Sequence, residues 1–443
     1  MKAALVLLAA GLAASARAQE PQAPSPADPE RTSFRLGGEL KAGLRWSKAE
    51  QSQVFFPFPP NLVPPGQRVL MRTPDSGSAL ELQHLALSGA GELASGVFAR
   101  VEVRLLDLYN RNPTSSDDRV FVRQAYVRFG DKPEALDAAG GSRLYAQFGM
   151  APRFTKQMLR HLESYGLWGT AIARFEQPQL ELGARLGKNA YLRGMLGAGN
   201  PLFMRDTNAL AGDNGTPERQ PGRIDPIYQS GFPMLYDAKA TDVRLAGRFE
   251  WGAGLGARFH RGDDAAADAV AWYFTRRLAQ RARLRGTSYS GDLTLLRGAG
   301  VPLPFQGDKK SEWGLNVLAR KGGLRLFGQF VDQDIAKLRR RGVEAEAAWL
   351  RRLNGLFLVG ESPFGNWVQP VFRFSWVDNL FVTPREYPAL SVGWDWKKYD
   401  FGVRFGMVRD VDLTAEYTLH WVDRGPVPSI PMDELLVTLR VGF

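Results

Sequence analysis

The sequence predicts an all-β fold, a transmembrane antiparallel β-barrel of roughly 16 to 18 strands, and three observations support it. Apolar and polar residues alternate along most of the chain after Ser33, which is the side-chain period of a β-strand. The alternating segments are about 9 to 13 residues long and match a tilted membrane-crossing strand, whereas strands of soluble proteins average about 5–6. Tryptophans lie near the segment ends, where a membrane barrel carries an aromatic girdle. They are Trp46, Trp251, Trp313, Trp349, Trp394, Trp396 and Trp421. A soluble β-sandwich also alternates and is the alternative fold.

The first eighteen residues have the pattern of a secretory signal. Lys2 precedes a charge-free run from residue 3 to residue 16, and Ala16, Arg17 and Ala18 form a small-x-small cleavage site. An N-terminal membrane anchor is the alternative, but the run is shorter than the roughly 20 apolar residues that span a bilayer. We expect a signal peptide at 1–18, a flexible periplasmic lead-in at 19–32 and an outer-membrane barrel at 33–443.

Composition restricts the possible chemistry. The 443 residues include 47 glycines and no cysteine, and the formal net charge is +11. The absence of cysteine excludes disulfides and thiolate metal sites, and we expect no cofactor. A basic chain could bind nucleic acid, but the export signal and the spread of charge over many strands argue against that partner.

The first half of the chain divides into strands and gaps in a regular order. In the first strand, Leu36, Leu40 and Leu44 share one face while Arg35 and Lys41 share the other. Strands are predicted at 33–47, 79–91, 93–107, 119–130, 142–151, 175–187, 189–198, 240–250 and 252–261. Long gaps at 48–78, 108–118, 152–174 and 199–239 mostly alternate with short ones, as expected for extracellular loops and periplasmic turns. The gap at 131–141 is the exception.

The second half is less regular at its start. The segment 268–286 fits either a strand or a short amphipathic helix, because Val270, Tyr273 and Phe274 also have helical spacing. Later strands are predicted at 285–297, 309–321, 323–334, 341–353, 367–378, 389–397, 400–409, 411–423 and 432–443. The last strand ends on Phe443 and resembles the terminal aromatic signal that the barrel-assembly machinery reads in outer-membrane proteins. We expect it to pair with 33–47 and close the barrel.

A barrel of this size leaves a water-filled lumen, so the residues opposite the apolar face become the candidate site. This face carries more cations than anions, and an excess of fixed positive charge concentrates anions. The candidate wall cations are Arg100, Arg104, Arg128, Arg185, Arg244 and Arg248, and Lys397 is also placed on this face. The alternative is that each arginine pairs with a neighbouring acid and only hydrates the wall.

The third long gap, 152–174, is a second candidate. Phe154, Met158 and Leu162 form one face of a short helix, and three cations, Arg153, Lys156 and Arg160, lie off that face. In general porins the third loop folds inward and narrows the pore, and these cations would then meet the permeant. The alternative is a surface loop with solvated charges.

Three segments carry a family resemblance. The stretches "RVFVRQAYVRF", "LYAQFGMAPRFTKQML" and "ARFEQPQLELGARL" resemble the phosphate-selective porin O and P family, over roughly residues 119 to 443. At the level of residues the match is the strand, proline and basic-loop pattern from Phe148 to Arg160. The resemblance implies a homotrimer in outer-membrane lipid and lipopolysaccharide that passes phosphate or related small anions through an arginine-lined channel.

The sequence also fits functions other than an anion channel. A general or sugar-type diffusion porin would share the barrel, and a structural barrel would show no conductance. An outer-membrane enzyme needs a nucleophile with a base in reach, yet the chain has four histidines and no Gly-x-Ser-x-Gly elbow. We therefore expect no catalysis and a channel for passive diffusion of small anions.

Overall fold

The computed structural model describes most of the predicted barrel. The described residues are 33–48, 52–55, 68–71, 77–107, 121–130, 144–155, 161–164, 166–167, 176–198, 234–236, 249–262, 264–277, 283–285, 291–292, 309–335, 337–380, 395–424 and 427–443. The predicted signal peptide and lead-in lie outside them. Within these ranges, no helix combines the length and the apolar character required to cross a membrane.

Sixteen antiparallel strands form one closed barrel, in which each strand pairs with the next along the chain. They are β1 (Ser33–Lys48), β2 (Gly77–Ala94), β3 (Val97–Asp107), β4 (Phe121–Phe129), β5 (Leu144–Pro152), β6 (Glu176–Leu186), β7 (Ala190–Gly197), β8 (Glu250–Arg261), β9 (Ala265–Arg277), β10 (Lys309–Lys321), β11 (Leu324–Ile335), β12 (Leu338–Trp349), β13 (Trp367–Asn379), β14 (Asp395–Val408), β15 (Val411–Arg424) and β16 (Val427–Gly442). After a break at Leu350, β12 continues as Arg351–Arg352. The predicted fold is confirmed, with sixteen strands.

The barrel closes between its first and last strands, as predicted. Lys41 of β1 lies opposite Arg440 of β16, and the two strands pair antiparallel over ten positions from Glu39 to Lys48. The closure continues into Phe443, whose carbonyl accepts a 2.7 Å hydrogen bond from the Gly38 amide. A Cβ at Gly38 would lie 2.3 Å from the Phe443 ring, so a larger residue here would displace that ring. No sheet edge remains between the two strands.

The two faces of the wall have opposite character. On β16, Leu435 and Leu439 are exposed on the outside, whereas Glu434 and Thr438 are buried on the inside. The same alternation gives an apolar outer belt around the barrel, as a lipid-facing surface requires. Exposed members of the belt include Leu36, Leu80, Phe148, Leu182, Leu255, Leu315, Phe372 and Phe401. Of the predicted girdle, Trp46, Trp251, Trp313, Trp349 and Trp421 are exposed, and Trp394 lies outside the described residues.

Strand assignments near residues 240 and 390 need correction. Most of the predicted strand 240–250 lies outside the described residues, and β7 pairs directly with β8. The described part of the predicted strand 389–397, residues 395–397, belongs to the same strand as the predicted 400–409, namely β14. The prediction put Lys397 on the inner face, but Trp396 and Lys398 are the buried inward residues and Lys397 is exposed. Trp396 is therefore not part of the girdle.

Two further differences concern the strands around residue 280. The segment with ambiguous periodicity forms a strand, β9, which pairs directly with β10. The predicted strand 285–297 is not placed between them: residues 283–285 pair with residues 234–236 and 291–292 outside the barrel, and 293–297 lie outside the described residues.

Connections separate the two ends of the barrel. Short turns at 95–96, 187–189, 322–323 and 409–410 lie at one end, which we call the inner end, together with Phe443. The inner end also has two longer connections. One joins β4 to β5 and includes the predicted gap 131–141, which lies outside the described residues. The other joins β12 to β13 and contains a small hairpin of Phe357–Val359 and Ser362–Phe364. The strand ends that flank the gaps predicted as long loops, 48–78, 108–118, 152–174 and 199–239, all lie at the opposite end. Short turns mark the periplasmic side of such barrels.

Candidate functional site in the barrel lumen

The segment that follows β5 enters the barrel. Its described residues, 153–155, 161–164 and 166–167, contact inward side chains of β1 and of β7 to β15, and we call them the inward loop. Side chains that would otherwise face water in the lumen are thereby buried. The described part of the predicted third loop therefore lies inside the barrel and narrows it.

A buried cluster of charges holds the start of the inward loop. The guanidinium of Arg153 donates to the carboxylates of Glu250 on β8 and Glu312 on β10. Lys310 lies 3.2 Å from Glu250 and 3.1 Å from Glu312, so two cations face two anions. Arg153 also lies over the ring of Phe274, 4.3 Å from its centroid. Buried charges are tolerated when they are paired in this way, and the structure places Arg153 in the attachment of the loop.

An apolar core lies between the inward loop and the wall. Phe154 and Leu167 of the loop pack against inward side chains of β9, namely Val270, Trp272 and Phe274. The cluster also contains Tyr191, Met195, Val331, Val377 and Trp396. Because β9 is apolar on its inward face as well as on its lipid face, its sequence lacks the alternation of the other strands. This explains the ambiguous periodicity of 268–286.

The far end of the inward loop binds β13, β14 and β15. The backbone amides of Glu163 and Ser164 donate to Oε2 of Glu416 at 2.8 and 3.1 Å. The hydroxyl of Ser164 contacts Asp400, 3.2 Å away, and accepts a 2.7 Å hydrogen bond from Arg373. These wall residues are almost fully buried. The carboxylates of this wall thus stabilise the loop.

Two more contacts fix the course of the loop. Nδ1 of His161 lies 2.5 Å from the Glu346 carboxylate on β12. On the other side of the barrel, the ammonium of Lys41 on β1 donates a 2.9 Å hydrogen bond to Glu163. The loop starts at β5, and its Ser164 contacts Arg373 on β13, eight strands away in the ring of sixteen, so the loop crosses the lumen.

Arginines dominate the wall formed by β3 and β4. Arg100, Arg104 and Arg123 surround Glu102, at N–O distances of 3.6, 3.1 and 3.8 Å. Arg123 also donates a 2.8 Å hydrogen bond to Glu176 on β6. Three guanidinium groups thus share two carboxylates. The side chain of Arg100 is 41% exposed, so it is accessible from the lumen.

Inward arginines also collect near the inner end of the barrel. Ten lie within four positions of a strand terminus at that end, and we call them the arginine ring. They are Arg35, Arg100, Arg128, Arg185, Arg193, Arg258, Arg320, Arg325, Arg404 and Arg440. In the same tier of the described wall the inward carboxylates are Glu92, Asp268, Glu346 and Asp412. Cations therefore outnumber anions at this mouth.

Some ring arginines are paired. Arg258 contacts Asp268, and Asp412 lies 3.1 Å from Arg404 and 2.5 Å from Arg440. Arg128 donates a 3.0 Å hydrogen bond to Gln147. Ten arginines face four carboxylates in this tier of the described wall, so the tier has an excess of fixed positive charge.

The predicted site residues fall into three groups. Arg100, Arg128 and Arg185 belong to the arginine ring, and Arg104 lies on β3 farther from the inner end. Arg153 anchors the inward loop. Lys156, Arg160, Arg244 and Arg248 lie outside the described residues. Arg123, Lys310 and Lys398 were not among the predicted lumen cations. Position along the predicted strands could have identified the arginine ring, because each of its members lies within four positions of a strand end at the inner end of the barrel.

Comparisons with known proteins indicate the fold. No family model and no curated protein matches the chain. Among solved structures, Salmonella typhi OmpF in complex with daunomycin has a TM-score of 0.51 at 9% identity, covering 93% of this chain and 97% of that chain. Pseudomonas putida OprB, in a high-pH structure, has a TM-score of 0.50 at 7% identity, covering 93% and 94%. The outer membrane channel DcaP of Acinetobacter baumannii has a TM-score of 0.49 at 10% identity, covering 95% and 100%. The first two likenesses show the fold, and together with the apolar outer belt they identify the chain as a β-barrel of the bacterial outer membrane.

Proposed function

We propose that this barrel is a porin, a water-filled channel for the passive diffusion of small anions across the outer membrane, and that phosphate is its candidate permeant. The observation that carries the proposal is the arginine ring at the inner mouth. Fixed positive charge in a channel with low-dielectric walls raises the local concentration of anions and repels cations. Guanidinium groups also match the oxygens of phosphate in a bidentate geometry.

The acidic residues of the opposite wall do not cancel this charge. Glu250, Glu312 and Glu346 pair with Arg153, Lys310 and His161, while Asp400 and Glu416 bind the far end of the inward loop. These carboxylates are buried beneath the loop. A permeant therefore meets the exposed arginines of the ring more readily than the acids of the loop wall.

The remaining parts of the proposal rest on the sequence. The pattern of residues 1–18 supports export by a signal peptide, and the terminal strand ending on Phe443 supports insertion by the barrel-assembly machinery. The family resemblance supports a homotrimer in contact with outer-membrane lipid and lipopolysaccharide. We also infer that the barrel is not an enzyme. Two of its histidines have structural partners in the lumen, because His161 contacts Glu346 and His420 accepts a 3.0 Å hydrogen bond from Trp396.

Reversal potentials in a planar bilayer test the proposal. The refolded chain in a KCl gradient should favour chloride over potassium, and added phosphate should reduce the chloride current. Replacing Arg35, Arg100 and Arg185 together with glutamate should shift the preference toward cations. The matched control is Arg409→Glu, a charge reversal on an exposed turn at the same end of the barrel.

Each alternative predicts a different result. An unselective channel would identify a general diffusion porin, and a sugar-type porin would show current block by sugars in place of phosphate. The absence of any channel would leave a structural barrel. An equal shift in the control and in the triple variant would show that lumen charge does not set the selectivity.

A further inference from the structure

The connection between β12 and β13 is built differently from the other described turns at the inner end. Residues 353–366, which we call the rim hairpin, contain the short strands Phe357–Val359 and Ser362–Phe364. The described turns 95–96, 187–189, 322–323 and 409–410 at this end are two or three residues long. The rim hairpin is therefore longer than a simple turn requires, and its contacts indicate what the extra residues do.

The rim hairpin is fixed to the end of the barrel by backbone hydrogen bonds. The amides of Gly365 and Asn366 donate to the carbonyls of Met407 and Gly406 on β14 at 2.8 and 3.2 Å. Within the hairpin, the amide of Leu356 donates to the Phe364 carbonyl at 2.7 Å. Gly355 and Gly365 adopt positive φ angles of 81° and 72°, a conformation that glycine accepts without strain. The hairpin therefore has a defined position relative to the wall.

Four consecutive apolar side chains of the rim hairpin are exposed. Leu356, Phe357, Leu358 and Val359 are 69%, 58%, 70% and 51% exposed. These values fall within the range of the outer belt, where Leu315 is 43% and Leu36 is 82% exposed. Four consecutive exposed apolar residues on a short hairpin are unfavourable in water, so another phase or molecule must cover them.

An aromatic row joins the rim hairpin to the lipid-facing belt. The rings of Phe357 and Phe364 stack at a centroid distance of 4.6 Å, and Phe364 meets Phe405 of β14 edge-on at 5.8 Å. Phe405 lies on the outer face, because its neighbour Arg404 is buried on the inner face and Val403 is exposed outside. The apolar surface of the hairpin is thus continuous with the belt.

A cation and a tryptophan border the same surface. Trp349 is exposed on the outside of β12, and Arg351 lies opposite Val368. Val368 alternates with the inward Gln369, so Arg351 also faces outward. Tryptophan and arginine at the edge of an apolar belt mark the depth of the lipid headgroups. Arginine binds the lipid phosphate there, and the tryptophan ring lies across the boundary between headgroups and acyl chains.

We propose that the rim hairpin is a membrane anchor that inserts its apolar residues into the periplasmic leaflet of the outer membrane, with Arg351 at the phosphodiester groups of phospholipids. The continuity with the belt favours lipid over a second protein as the occupant. Interfacial segments of this kind insert their apolar side chains about 5–10 Å into the headgroup and acyl boundary. This role is separate from conduction.

The cysteine-free chain offers a direct test. A nitroxide spin label is attached to the full chain carrying Leu358→Cys, reconstituted in phosphatidylethanolamine and phosphatidylglycerol vesicles. Collision with oxygen, which partitions into lipid, is compared with collision with a water-soluble nickel chelate. The matched control is Ser95→Cys, a nearly isosteric change on an exposed turn at the same end of the barrel.

The ratio of oxygen accessibility to nickel accessibility should be several-fold higher for the Leu358 label than for the Ser95 label. This ratio should correspond to a depth at the headgroup boundary. A second label at Val359→Cys should agree. Equal nickel accessibility at Leu358 and Ser95 would place the hairpin in water and overturn the anchor. Protection from both reagents would indicate a protein partner and would overturn it as well. The vesicles report on the hairpin whether or not the barrel selects anions.

Discussion

The packing of Phe154 should determine whether the inward loop stays in the lumen. The side chain is 4% exposed, and its ring lies 5.0 Å from that of Phe274 within the apolar core. We predict that Phe154→Ala releases the loop far more often than the parent protein does, while the barrel remains folded. The reason is that the loss concerns the contact between loop and wall, whereas the strand pairs are unchanged.

The magnitude follows from the buried ring. Truncating a buried phenylalanine to alanine costs about 3–5 kcal/mol, and a middle value of ~4 kcal/mol would lower the free energy of loop release by that amount. At 1.4 kcal/mol for each factor of ten, the population of released loop should rise roughly 700-fold. The charge cluster at Arg153 and the contacts of Ser164 would still hold the loop most of the time.

Amide hydrogen exchange measures this change directly. The amides of Glu163 and Ser164 donate to Glu416 only while the loop is docked, so their exchange rate reports loop release. Phe148→Ala is the matched control, because Phe148 faces lipid on β5, six positions before Phe154. Unchanged exchange in Phe154→Ala, or equal acceleration in the control, would refute the reasoning.

Two further predictions concern the wall and the loop tip. Gly149→Ala should lower the free energy of unfolding by at least the ~1–3 kcal/mol of a strained backbone, seen as a lower urea midpoint of tryptophan fluorescence, because Gly149 has a φ of 130° and a Cβ would lie 2.2 Å from the Ala125 carbonyl oxygen. Gly328→Ala, where a Cβ meets open space, is the control, and equal midpoints would contradict the prediction. Glu163→Gln should weaken the 2.9 Å contact with Lys41 and increase current fluctuations in planar bilayers. Glu361→Gln on the exposed rim hairpin should not, and equal noise in both variants would count against a role for this contact.

Alternation was sufficient to predict the barrel where one face met lipid and the other met polar groups. It predicted the outward Leu435 and Leu439 and the inward Glu434 of β16 correctly. The rule failed at β9, where Trp272 and Phe274 face a second apolar core inside the barrel. A sequence pattern reports only how many faces are apolar, and it does not say which partner covers each face.

The candidate site was less predictable than the wall. The inward direction of Arg100, Arg104 and Arg128 follows from strand periodicity, but the pairing of Arg153 with Glu250 and Glu312 joins residues far apart in the chain. Such contacts depend on the path of a loop through three dimensions. The error at Lys397 has the same cause as the one at β9. Trp396 belongs to the apolar core inside the barrel, so taking it as lipid-facing placed its neighbour Lys397 on the inner face.

The pairing of β1 with β16 has a consequence for assembly. Lys41 and Arg440 are neighbours in the closed sheet although they lie near opposite ends of the barrel sequence, so the pairing of β1 with β16 joins the two strands that are farthest apart in the chain. Contacts of this kind form slowly, because a long loop must be closed before they contribute. Until then both strands expose unpaired amides and carbonyls that cannot remain unsatisfied in hydrocarbon. Insertion of this chain therefore requires protection of two open edges until the last strand has arrived, and a chain that stops before β16 would remain an open sheet prone to aggregation.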